Sequence, residues 1–382
     1  MTPVKKRDKL QGMKERYLHR QVVRDLEKKM VFISGPRQVG KTTLAKSILQ
    51  TDASYLNWDI PAHRESILRR ELPLTEMWCF DEIHKYSSWR DFLKGVYDEF
   101  HQEHRILVTG SARLDMLRKS GDSLQGRYHH LRMHPLSVKE LGITSREDFL
   151  QLLELGGFPE PWFSGSAVEA KRWSTNYRSL LVNQESTSIE TISDLSKLEL
   201  LSLRLPELIG SPLSINGLRE DLQLAHKTVS RWLDILENIY MIFRLPPFGS
   251  PLIRAVKKEQ KHYHFDWTLV PDPGARFENL VASHLLKWVH FRRDVYGEEI
   301  ELRFFRDTDK REVDFCVTLN RKPTMFVECK WSESSTSPHL YYLKKKFPEA
   351  EYSQVTAMGE RSFIDKKGIV HMSGVEFLQK LV

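Results

Sequence analysis

The segment "MVFISGPRQVGKTTL", residues 30–44, constrains this chain more than any other stretch. Its apolar run predicts a buried strand that ends in Gly35, with four residues leading to Gly40-Lys41-Thr42 at the head of an amphipathic helix. Strand, glycine loop and helix N-terminus in that order make a phosphate cradle. The glycines let backbone N–H groups close around phosphate oxygens, Lys41 reaches the β and γ phosphates, and Thr42 is placed to ligate Mg2+. The candidate ATP-binding residues are therefore Gly35, Pro36, Arg37, Gln38, Val39, Gly40, Lys41, Thr42 and Thr43.

Two later strands complete the pattern. In "MWCFDEIHKYSSW" four apolar residues precede Asp81 and Glu82, which predicts a buried parallel strand with acids at its C-terminal end. Asp81 would hold Mg2+ with Thr42, and Glu82 would orient the attacking water. "RILVTGSA" ends in Thr109 and Ser111, whose hydroxyls are candidates for sensing the γ phosphate. Arg127, in "DSLQGRYHHLRMHPLSVKEL", is the candidate finger acting across a subunit boundary, with Arg37 and Arg113 as alternatives. Lys41, Glu82, Ser111 and Arg127 thus form the candidate catalytic set.

The combination "GPRQVGKTTL", "CFDEIH", "LVTGSA", "GRYHHLRMHPLSVKEL" and "GGFPEP" resembles the bacterial and archaeal AAA-type ATPases, related to the archaeal ATPase group, whose C-terminal part is of unknown function. The resemblance implies an AAA+ core, ATP with Mg2+ as ligand, and assembly into a homo-oligomer, a hexamer or another ring.

With 382 residues the chain has room for two to four units, each with its own core. The net charge of +7 fits a polyanionic partner. Cys79, Cys316 and Cys329 lie in apolar runs without zinc-ligand spacing and read as reduced thiols. The N-terminus has no apolar region of a secretion signal, and nowhere do eighteen apolar residues run together, so the expected location is cytoplasmic, with no membrane partner. His262 and His264 alternate on a strand with no further ligand nearby, which predicts a structural or surface role.

Residues 146–200 predict helices punctuated by Gly156, Gly157, Pro159 and Pro161, read as a lid. A helix from Leu198 to Ile209, a short one in "SINGLREDLQL", and a third in "HKTVSRWLDILENI" before an apolar strand resemble a winged helix. His226, Lys227, Ser230 and Arg231 sit near the start of the third helix, where recognition helices approach DNA. Arg254, Lys257, Lys258 and Lys261 are candidate phosphate contacts.

"DPGARFENLVASHLLKWVHFRR" predicts a helix beginning after Pro273, with Glu278 in its early turns. "IELRFFRD", "REVDFCVTL" and "TMFVECKW" predict strands, the last two forming a hairpin across "NRKP". Alternation puts Glu328 and Lys330 on one face, and the hairpin brings Asp314 beside them. Glu278, Asp314, Glu328 and Lys330 resemble the helix Glu, the Asp and the Glu-x-Lys of the restriction-endonuclease-like superfamily, and of archaeal Holliday junction resolvases. That resemblance implies a second Mg2+ or Mn2+ at these carboxylates, and either cleavage or DNA binding without cutting.

The expected fold is multidomain α/β: an AAA+ P-loop core (1–145), a helical lid (146–197), a winged helix (198–248) and a restriction-endonuclease-like domain (249–382). The expected function is ATP-driven remodelling of DNA, branched or junction DNA in particular. The alternative is a signalling switch whose C-terminal domains bind a protein partner.

Overall fold

The computed structural model describes residues 15–110, 124–186, 194–249 and 260–382. The chain divides into two compact units, one ending at Pro135 and the other running from Leu136 to Val382.

Five parallel strands build the sheet of the first unit: β1 (Met30–Ser34), β2 (Tyr55–Asn57), β3 (Met77–Asp81), β4 (Arg105–Thr109) and β5 (Tyr128–Arg132), ordered β2-β3-β4-β1-β5. Every residue of β1 and β3 is buried, as parallel strands covered on both faces require. Phe32, Trp78, Phe80, Leu93, Val96 and Val108 share one core cluster. Between its neighbours, β4 sets Thr109 beside Ile33 on one side and beside Asp81 on the other. Because the strands run the same way, Ser34, Asn57, Asp81 and Thr109 end along one edge, where open α/β sheets bind ligands. The helices of this unit are α1 (His19–Leu26), α2 (Lys41–Ile48), α3 (Pro61–Arg69) and α4 (Trp89–Phe100).

The second unit opens with α5 (Arg146–Leu155), α6 (Pro159–Ser164) and α7 (Ala167–Leu180); Ser145 and Ser166 cap α5 and α7. α8 (Leu195–Arg204) stops short of the Ile209 that periodicity predicts. The chain tightens instead into a 3-10 turn, Leu205–Leu208, in which Pro206 has no N–H to continue the α pattern. α9 (Ile215–Leu222) and α10 (His226–Asn238) follow, and β6 (Ile242–Leu245) pairs antiparallel with β7 (Lys261–His264). α10 buries Val229, Trp232, Leu233 and Leu236, the stripe that its spacing predicts.

The 24 residues of α11 (Pro273–Tyr296) begin at Pro273 itself. Asp272 caps the helix by accepting from the Ala275 N–H at 2.8 Å, and Gly297, at φ 69, ends it. Six strands form the second sheet: β8 (Ile300–Arg306), β9 (Glu312–Leu319), β10 (Lys322–Lys330), β11 (Glu351–Thr356), β12 (Phe363–Ile364) and β13 (Val370–Ser373), ordered β12-β13-β11-β10-β9-β8. β9 and β10 form the predicted hairpin, with Val327 opposite Phe315. Within this unit Phe149 of α5 meets Phe277 of α11 edge-on at 6.1 Å, and Trp267 Nε1 donates to the Leu152 carbonyl at 3.2 Å. The early helices and the C-terminal region therefore share packing.

Candidate functional site

The glycine loop adopts a backbone that its sequence requires. Gly35 and Gly40 have φ of 145° and 101°. A Cβ on Gly35 would stand 2.2 Å from the Met133 carbonyl oxygen, so no side chain fits there. Lys41 is buried and donates to the carbonyls of Gly35 (3.0 Å) and Pro36 (2.7 Å), which folds its ammonium over the loop. Arg16 braces the same loop: its guanidinium donates to Val39 O at 2.7 Å and to His134 O at 2.6 Å. No motif marks Arg16.

Asp81 is the hub at the sheet edge. Thr42 Oγ1 donates to its Oδ2 at 2.9 Å, and Thr109 Oγ1 donates to its Oδ1 at 2.5 Å. The Tyr55 hydroxyl of β2 also donates to Asp81 and accepts from Asn57 Nδ2 at 3.1 Å. Burial, then the Asp81 carboxylate, pushes the Tyr55 phenol well above its ordinary range. The two predicted Mg2+ ligands, Thr42 and Asp81, thus stand together as a hydroxyl and a carboxylate, the hard oxygen donors that Mg2+ prefers. The Thr109 hydroxyl, a candidate for sensing the γ phosphate, is fully buried and spent on Asp81, which it aligns. Ser111 and Arg113 lie outside the described residues.

Glu82 continues from β3 in the left-handed region, at φ 56. Its carboxylate lies 3.3 Å from Lys85 Nζ and 3.6 Å from His84 Nε2, and Lys85 also pairs with Asp59 at 2.6 Å. Burial raises the Glu82 pKa against the lowering effect of Lys85, which favours a base over a permanently ionised group. Arg127 forks onto Asp98 of α4, through Nε at 2.7 Å and Nη2 at 3.0 Å.

In the second unit His226, Lys227 and Arg231 are exposed on the first turns of α10. The acids further along that helix, Asp234 and Glu237, are engaged by Arg244 of β6 at 2.6 and 3.0 Å. Arg254, Lys257 and Lys258 lie outside the described residues. Lys261 departs from its expected role as a phosphate contact: it is 0% exposed and points into the carboxylate cluster. Its Nζ lies 3.3 Å from Glu278, 3.3 Å from Asp314 and 2.8 Å from Glu312.

The hairpin register sets Asp314 beside the Glu-x-Lys strand, where its Oδ2 accepts from the Cys329 N–H at 2.9 Å. Glu328 accepts from Lys330 at 2.8 Å, and the Tyr263 hydroxyl donates to Glu278 at 2.7 Å. Burial, then the charge of Asp314, pushes both Glu278 and Glu328 up to about 7. The four predicted residues are brought together, but the expected metal does not fit them. The Lys261 ammonium stands among the oxygens that would ligate it, and among the described residues no group of three His, Cys, Asp or Glu side chains is arranged to hold a metal ion. His262 and His264 face the other side of β7 and are buried.

A sheet edge holding a glycine-loop lysine, a threonine and a strand-end acid defines a P-loop nucleotide hydrolase. Residues 27–142 match the family described as AAA domain, so this part of the chain is an AAA-type P-loop ATPase domain. Residues 146–271 and 273–373 match two families described as domains of unknown function, DUF8612 and DUF4143. An uncharacterized protein of Mycobacterium tuberculosis is 23% identical over 317 residues, covering 78% of this chain and 69% of the relative. One from Haemophilus influenzae is 21% identical over 321 residues, covering 74% of this chain and 78% of the relative. The Walker-type ATPase of Pyrococcus abyssi aligns at a TM-score of 0.44 and 14% identity, over 69% of this chain and 95% of that one. Among the described residues no helix is long and apolar enough to cross a membrane.

Proposed function

We propose that this ATPase couples hydrolysis to the binding and remodelling of DNA, branched or junction DNA included. It acts as a homo-oligomer, a hexamer or other ring, in which Arg127 of one subunit serves the nucleotide of the next. Glu82 orients the water, Thr42 and Asp81 hold Mg2+, residues 146–197 act as lid, and residues 198–248 form a winged helix. The observation that carries the DNA reading is the exposed basic start of α10. Lys227 and Arg231 project there, while Arg244 neutralises the acids behind them. The strand β6 after α10, paired with β7 beyond residue 248, supports the winged-helix reading.

The second reading, a switch that binds a protein partner, is favoured by Leu200 and Leu203 of α8, 53% and 43% exposed. ATPase rates of the full chain with single-stranded, duplex and four-way DNA separate the two. DNA stimulation is expected. Replacing Lys227 and Arg231 by Ala should reduce it and lower the salt slope of binding by roughly one for each DNA phosphate that is no longer neutralised. Turnover indifferent to every DNA, with no DNA binding, overturns the DNA reading.

A further inference from the structure

The carboxylate cluster of the second unit gathers four acids around one strand face. Glu278 comes from α11, Glu312 and Asp314 from β9, and Glu328 from β10. β7 sends two side chains into it at alternate positions, Lys261 and Tyr263. An ammonium has three protons to give, and Lys261 Nζ has three carboxylates within reach: Glu312 at 2.8 Å, and Glu278 and Asp314 each at 3.3 Å. Other donors reach the same carboxylates. Asp314 Oδ2 takes the Cys329 N–H, Tyr263 donates to Glu278 Oε1, and Glu328 Oε1 takes Lys330. Arg306 Nη1 lies 3.5 Å from the other oxygen of Glu312, and Glu328 Oε2 is buried with no hydrogen-bond partner among the described residues.

We propose that this cluster is a cation site permanently filled by the chain's own Lys261 ammonium, so that the nuclease-like domain neither recruits a divalent metal nor cuts DNA. A Mg2+ or Mn2+ ion on Glu278 and Asp314 needs their oxygens at roughly 2.0–2.2 Å, which places a double charge against the ammonium already held by the same oxygens. The lysine is 0% exposed, packed beneath its carboxylates. Its strand is clamped to α11 by Asn279, whose side chain accepts from the His264 N–H at 2.8 Å and donates to the His264 carbonyl at 2.7 Å. Lys261 Nζ also lies 5.8 Å from the centre of the Phe304 ring. The domain is thereby left as a folded platform whose cation position is occupied from within.

The test is Mn2+ binding by the full chain without nucleotide, followed by the electron paramagnetic resonance of free Mn2+. Wild type and Asp314→Asn should titrate alike. Lys261→Met, which keeps the apolar stem and removes the charge, should bind Mn2+ about 10- to 100-fold more tightly, the range over which neighbouring groups tune a metal site. Adding Asp314→Asn to Lys261→Met should abolish that gain. Folded Lys261→Met protein without the gain overturns the proposal. If Lys261→Met does not fold, wild type decides alone: Mn2+ binding or Mn2+-dependent cleavage of four-way DNA that Asp314→Asn removes overturns it, and indifference to Asp314→Asn upholds it. Because the readout is metal occupancy, it stands whether or not the α10 face binds DNA.

Discussion

The Thr42 hydroxyl donates to Asp81 Oδ2 at 2.9 Å, joining the end of the glycine loop to the end of β3 across the sheet edge. In the function proposed above the two groups hold Mg2+ as a pair, while Lys41 and Glu82 have separate tasks. Lys41→Ala removes the phosphate-binding charge and is expected to abolish nucleotide binding. Glu82→Gln spares the cradle, so it should bind ATP normally and fail to turn it over. Equilibrium binding of a fluorescent ATP analogue and phosphate release check the pair; normal turnover in Glu82→Gln would remove Glu82 from the water-orienting role.

Tyr55 gives the second prediction. Its hydroxyl holds Asp81 from the side opposite Thr109, so under the proposed Mg2+ role of Asp81 it would act on the metal through the acid. Tyr55→Phe keeps the ring and deletes that bond. The Mg2+ concentration needed for half-maximal ATPase rate should rise about 10- to 100-fold, with little change in the rate at saturating Mg2+. An unchanged Mg2+ requirement would leave Tyr55 a packing residue.

What was legible in the sequence divides by distance along the chain. The glycine loop is readable because a phosphate cradle demands glycines and a lysine at fixed local spacing, and Asp81 because a buried strand ending in acids is itself a local pattern. Arg16 is not readable: it reaches His134, 118 residues away, and an arginine in a charged segment looks solvated. Lys261 misleads for the same reason. It follows a run of basic residues, yet strand alternation turns it inward onto Asp314, 53 residues away. The carboxylates of the hairpin were recoverable from two-residue periodicity, whereas the lysine that sits among them was not.

Lys85 sets the acid limb of turnover. It lies 3.3 Å from the Glu82 carboxylate, and its positive charge lowers a pKa that burial has raised. Lys85→Met removes only the lowering influence, so Glu82 stays protonated to higher pH and the low-pH limb of kcat should move to higher pH. A limb that does not move, or moves to lower pH, would show that another group controls it.

Arg127 pairs with Asp98 at an exposed position, an ion pair that is cheap to break. Acting on a neighbouring subunit's γ phosphate, it should cost about a thousandfold in turnover when changed to Ala. Mixing Arg127→Ala with Lys41→Ala protein should restore activity at interfaces that join an intact nucleotide site to an intact arginine. No recovery at any mixing ratio would count against action across subunits.

The last prediction concerns acid stability and follows from one buried imidazole. His284 of α11 donates from Nδ1 to the Leu280 carbonyl at 2.8 Å, and its Nε2 accepts from the Val138 N–H at 3.1 Å. The Nδ1 bond survives protonation and favours it, but the Val138 bond is made only by the neutral ring, because a proton on Nε2 would face the Val138 N–H. Burial is the main cause that pushes His284 down to about 4; Lys287 adds to the fall, and Glu140 opposes it. In the unfolded chain the group titrates near its ordinary value of about 6.5. Between those values the unfolded state binds more protons, so this contribution is complete above about pH 6.5 and is lost as pH falls toward 4. It amounts to on the order of 3 kcal/mol when fully withdrawn. His262, also held near 4 by burial, acts in the same direction, while Glu278 and Glu328, held near 7, act in the opposite one. The informative quantity is therefore the difference between wild type and His284→Gln. Urea unfolding at intervals from pH 7.5 to 4.5 should find the variant less stable at neutral pH, with the gap closing as pH falls. A gap that stays constant across that range would mean that His284 does not carry the pH dependence assigned to it.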